Sequence, residues 1–127
     1  MKRFNPPAVA VPASRYSQGV LHGAGQRLLI SGQVGVSQDG TVVHGLKEQI
    51  DLAFTNFMAV LAAAGMGPEH VVKITAMALN PDALPHYRAA RDRAFDGHPP
   101  ASTYFQVAAL ASPDFLFEVD GEAVKEG

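Results

Sequence analysis

The 127-residue chain contains no cysteine. That absence removes a disulfide framework, a thiolate nucleophile and a cysteine-based zinc site together. Charge is scarce as well: Asp, Glu, Lys and Arg make up 17% of the residues, where about 25% is usual. The formal net charge is −2 and no basic run occurs, which argues against an electrostatic footprint for nucleic acid. No apolar run approaches the ~20 residues of a membrane span. The opening Met1-Lys2-Arg3-Phe4-Asn5-Pro6-Pro7 has charge but no hydrophobic stretch behind it. No signal peptide is expected, and the cytoplasm is the default location.

Apolar side chains, by contrast, are plentiful at 47%. A chain of this length fits one domain, 1–127, with no repeat, low-complexity tract or linker to divide it. A domain this small buries only about two-thirds of its unfolded surface. So few charges cannot cover such a monomer comfortably, and the surplus apolar surface points to self-association.

The clearest element is a helix from about Leu46 to Ala64. Leu46, Ile50, Ala53, Phe54, Phe57, Val60, Leu61 and Ala64 form one apolar stripe, with Lys47, Glu48, Asp51 and Asn56 on the other side. Gly65 is placed to end it, and Pro68 to prevent a restart. Ahead of it, Pro6 to Pro12 is expected to be extended. Gln18–His22 and Arg27–Ser31 read as strands of a hairpin around Gly23-Ala24-Gly25, and Gln38-Asp39-Gly40 reads as a tight turn. His70–Leu79 is apolar on both faces, which predicts a central strand covered on each side. Asn80-Pro81-Asp82 starts a second helix running to about Phe95. Strands at Thr103–Ala109 and Phe115–Val124 close a β-β-α-β-α-β-β order. The expected class is α+β, a mixed sheet with two helices packed on one face. The other sheet face would need a further subunit to cover it.

Signatures for phosphate binding, serine hydrolysis and zinc proteolysis are absent. The five histidines are scattered without ligand spacing, so no metal site and no cofactor are expected. Alternation in the last strand puts Glu118, Asp120 and Glu122 on one face, about 6–7 Å apart. They are either a solvated face or the source of a general acid or base tuned by partial burial in a subunit cleft. Glu118, set among Leu116, Phe117 and Val119, is the best candidate for the second role. Arg88, Arg91 and Arg93 pose the same alternative: a solvated helix face beside Asp92, or a clamp for a substrate carboxylate.

Several motifs, in order, resemble the Rid family of reactive intermediate deaminases, also called YjgF-like or L-PSP proteins. They are Tyr16-Ser17-Gln18, Ile30-Ser31-Gly32-Gln33-Val34, Ala63-Ala64-Gly65-Met66, Val71-Val72-Lys73-Ile74-Thr75, Pro100-Ala101-Ser102-Thr103 and Phe117-Glu118-Val119. The resemblance spans nearly the whole chain. It implies a chorismate-mutase-like fold and a homotrimer with ligand clefts between subunits. It also implies cofactor-free hydrolysis of enamines and imines such as 2-aminoacrylate. In the family a glutamate positions water, and Glu118 matches it. Tyr16 and Gly32 match pocket residues, with Ser31 beside them. The substrate-gripping arginine of the family falls at Ser102, next to Thr103. A hydroxyl supplies no positive charge, which argues against 2-aminoacrylate deamination. Tyr104 stands where other members have a small cysteine, and Arg88 aligns with an asparagine of the second helix. Two functions follow: hydrolysis of a different labile small molecule, or ligand binding without chemistry. The low charge counts against the endoribonuclease label that some members carry.

Overall fold

The computed structural model describes residues 1–127 as two sheets and two helices. β1 (Lys2–Phe4) pairs antiparallel with β2 (Gly19–Leu21) in a small separate sheet. The main sheet has the order β3 (Gly25–Val34), β6 (Phe117–Glu126), β4 (Val71–Ala78), β5 (Ala101–Gln106). β4 runs antiparallel to β6 and parallel to β5. α1 (Leu46–Ala63) and α2 (Ala83–Ala94) carry the crossovers. This is the expected α+β class, a mixed sheet with two helices.

The period of α1 explains its packing. Ile50, Ala53, Phe54, Phe57 and Leu61 are buried against β3 and β6. Phe54 and Phe57 meet Tyr87, Phe95 and Phe117 in an aromatic core with centroids about 6 Å apart. The helix stops as foreseen. Gly65 takes a φ of 70°, and the Gly65 and Met66 N–H groups donate to Ala62 and Leu61.

Four local expectations are corrected. The proposed hairpin does not form: β2 pairs with the N-terminal strand, and β3 turns instead to β6. Pro6 is not followed by extended chain, because the Val9 N–H closes a turn on Pro6 O. β5 begins at Ala101 rather than Thr103, since its parallel ladder with β4 starts opposite Lys73. Asn56, assigned to the polar side of α1, is half-buried and donates to Val34 O and Val36 O at 3.0 and 2.9 Å. Those bonds tie α1 to the end of β3 and to the segment just beyond it, where Val36 bridges Val42.

β4 is covered on one side only. Ile74, Ala76 and Ala78 are sealed under the helices, while Lys73, Thr75 and Met77 stay half-exposed. Leu29 and Phe105, at 64% and 53% exposure, lie on that same outer face. No helix is long and apolar enough to cross a membrane.

Candidate functional site

The predicted site residues fall into two groups on opposite faces of the sheet. Register makes the division. Ser102 and Tyr104 pair with Ile74 and Ala76 and point toward the helices, whereas Glu118 pairs with Met77 and points outward.

The helix-side group lies beneath α2. The Ser102 and Tyr87 hydroxyls are 2.7 Å apart, and the Tyr87 and Tyr104 rings pack at 5.0 Å between centroids. Tyr16 reaches the same place because the next residue is fastened to the start of β5. The Ser17 N–H donates to Pro100 O at 3.0 Å, and its hydroxyl donates to Pro99 O. Arg88 lies exposed at the rim. Arg91, only 3% exposed, bonds Asp92 and the Ser14 hydroxyl, each at 3.2 Å. Its guanidinium sits 5.3 Å from the Tyr87 ring centroid. These groups surround a cavity of about 200 Å³. A wider hollow of about 480 Å³ adjoins it past Ser14, Tyr16 and Arg91.

Burial raises the Tyr87 and Tyr104 phenols above the ordinary tyrosine range; for Tyr87 the Ser102 hydrogen bond and the Arg91 charge pull partly back. Both phenols therefore keep their protons at neutral pH and can donate. The Tyr104 hydroxyl is shielded from solvent and has no hydrogen-bond partner.

The second group is at the bulge of β3. Glu118 is opposite Val34 and half-buried, and its carboxylate lies against the backbone of Gly32. A Cβ on Gly32 would collide with that carboxylate, so the glycine is what allows the close approach. Ser31 lines a neighbouring groove with Lys73 and Asp120. Thr103 also faces this side, accepting from Lys73 Nζ at 2.5 Å. Burial pushes Lys73 down, against the pull of Asp120. It pushes Asp120 up, with Lys73 opposing and Glu122 reinforcing.

Tyr16, Arg88, Ser102 and Tyr104 thus converge; Gly32 and Glu118 form a separate pair, and Thr103 belongs to neither. Tyr87 went unassigned in the sequence, and Arg91, given there as either solvated or a carboxylate clamp, is buried rather than solvated. Their signal is periodic: Ala83, Tyr87, Ala90 and Arg91 make the buried stripe of α2.

A family model described as endoribonuclease L-PSP matches residues 7–125. The chain belongs to this family, the Rid or YjgF-like proteins. A RutC family protein of Aquifex aeolicus is 40% identical over 77 residues, an alignment spanning 59% of each chain. The RutC family protein YjgH of Escherichia coli is 34% identical over 107 residues, covering 83% of this chain and 80% of that one. The structure of the Rid family protein YyfB from Yersinia pestis superposes with a TM-score of 0.90. The two share 30% identity over 98% of both chains.

Proposed function

We propose that the chain acts as a homotrimer whose clefts, one at each subunit boundary, take up a small metabolite. In each cleft Glu118 orients water to hydrolyse an imine, an enamine or a related labile compound. The opposition of the two half-sites carries this reading. Glu118 and Ser102 point to opposite faces of one sheet, so only another copy can bring a Glu118 to the pocket beneath α2. The uncovered outer face, with Leu29 and Phe105 protruding, supports such an assembly.

The carboxylate suits the role assigned to it. Half-buried, with the Gly32 backbone on one side of its carboxylate, it is a hydrogen-bond acceptor suited to orienting a water. The pocket it faces across the boundary offers hydroxyl and guanidinium donors to the organic part of a ligand. Ser102 in place of the family arginine removes the charge that would grip a 2-imino acid directly from β5, so 2-aminoacrylate is not the substrate assigned. The same serine favours a second reading, a ligand-binding or regulatory trimer without turnover.

A panel of imines and enamines generated in solution tests both readings. Under the first, the purified protein accelerates decay of at least one compound, and Glu118→Gln abolishes the acceleration while leaving the fold intact. Under the second, a compound raises the melting temperature but is not consumed. If no compound is consumed and none stabilises the protein, both are wrong. Ser102→Arg probes the serine: new activity on 2-aminoacrylate identifies the missing charge as the block. Tight RNA binding in a gel shift at physiological salt would instead favour the ribonuclease label, which the net charge of −2 opposes.

A further inference from the structure

Two side-chain polar atoms of the subunit are shut off from solvent without a hydrogen-bond partner, one on Arg3 and the other the Tyr104 hydroxyl. The Tyr104 ring is well placed, 5.0 Å from the Tyr87 ring between centroids, but its hydroxyl is bonded to nothing. The Ser102 and Tyr87 hydroxyls beside it are joined to each other. A buried donor in that condition is costly unless something accepts from it once the protein is assembled.

Glu118 is in the complementary condition. The ion pairs of the subunit engage Asp51, Glu69, Asp92, Glu122 and Glu126, and none engages Glu118. The cations on the same outer face are occupied elsewhere, Arg27 with Glu122 and Lys73 with Thr103.

Charge favours a meeting of the two. Arg88 and Arg91 border the cavity beneath α2 and no carboxylate of the same subunit does, whereas Glu118 shares its face with Asp120 and Glu122. Surfaces of opposite charge dock in a preferred register. Arg88 is exposed at the rim, where water serves it. The Tyr104 hydroxyl has no water to lose, so an acceptor that reaches it gains a hydrogen bond with little desolvation on the donor's side.

Resting on the cleft reading given above, we propose that Tyr104 is a positioning residue whose hydroxyl donates, across the subunit boundary, to one carboxylate oxygen of another copy's Glu118. The ring turns enough to carry the hydroxyl from its occluded position into the cavity that the side chain already borders. A carboxylate offers two oxygens, each able to accept. One takes the phenol and stops rotation of the carboxylate; the other is left to hold the water. The Tyr104 phenol, raised by burial and by the neighbouring Tyr87, keeps its proton at neutral pH and is able to donate.

Subunit exchange between isotope-labelled and unlabelled protein, followed by native mass spectrometry, tests this bond without a substrate. A subunit leaving a closed trimer breaks two such bonds, one that it donates and one that it accepts. Tyr104→Phe deletes one oxygen and breaks no hydrogen bond within the subunit. A ring that merely packs would therefore leave exchange unchanged or slower. The proposed bond requires exchange to quicken by about tenfold for each bond broken, about a hundredfold in all. Glu118→Ala should act similarly, and the double variant should exceed the faster single by no more than about threefold, because both changes remove the same bonds. Effects of the two changes that multiply would overturn the proposal, as would a Tyr104→Phe protein that exchanges less than about tenfold faster than wild type. On an imine that the wild type consumes, Tyr104→Phe should lower kcat about tenfold and leave KM within about threefold. An unchanged kcat would overturn the positioning role. A monomeric wild type would sink the cleft reading as well, whereas a trimer whose exchange ignores Tyr104→Phe sinks this proposal alone.

Discussion

Phe105→Asp is the sharpest perturbation of the proposed trimer. Phe105 sits near the end of the edge strand β5 on the outer sheet face, with 53% of its surface exposed in the subunit. An aromatic side chain carries some 150–250 Å² of buriable surface, so about 100 Å² of it waits to be covered. At ~25 cal/mol per Å² that is about 2.5 kcal/mol per subunit, or roughly 7 kcal/mol in a closed trimer. Such a loss lowers the association constant about 10⁵-fold. The aspartate adds the cost of desolvating a charge. Within the subunit the same change removes no core contact, because Phe105 is not part of the buried cluster. The expectation is therefore specific: wild-type protein at micromolar concentration sediments near 40 kDa, three times the 13.4 kDa subunit. The variant should sediment near one subunit mass with an unchanged far-ultraviolet circular dichroism spectrum. A wild type that sediments as a monomer, or a variant that stays trimeric at the same concentration, would refute the reasoning.

Other consequences are more local. Asn56→Ala leaves the Val34 and Val36 carbonyls without the amide that bonds both; it should cost about 2 kcal/mol in urea unfolding at fixed protein concentration. A loss below about 0.5 kcal/mol would mean that water replaces the amide freely. Asp120, raised above its ordinary 3.8 mainly by burial, should give an unusual pH slope. Its folded form holds the proton more tightly than the unfolded chain, so its contribution is most favourable below pH 3.8 and declines as pH rises toward the folded value. The melting temperature of Asp120→Asn relative to wild type should accordingly increase between pH 3 and pH 6. A constant or shrinking difference would contradict the sign.

Residues that depend on near neighbours in the chain were legible in advance. The α1 stripe, its stop at Gly65 and the two faces of β6 follow from periods of 3.6 and 2 carried by adjacent residues. Glu118, Asp120 and Glu122 do share one half-buried face, as the alternation requires. Asn56 was misjudged because a polar residue on a helix reads as solvent-facing until something distant needs its amide, here two carbonyls at and just beyond the end of β3. The hairpin failed for a related reason. Gly19–Leu21 and the strand after it are both competent to pair, and the choice of Lys2–Phe4 and of β6 as partners is a matter of long-range closure.

Ser102 marks the same boundary. By itself the sequence determined that Ser102 brings no charge, that Glu118 shares one face of the last strand with Asp120 and Glu122, and that apolar residues far outnumber charged ones. Only the tertiary structure decided that Ser102 faces the helices and meets Tyr87. It also placed Arg91 behind that pair and set Glu118 on the opposite side of the sheet. The physical reason is that side-chain type and period are local properties. Which side of a sheet a helix covers, and which hydroxyl a buried cation approaches, depends on register between segments tens of residues apart.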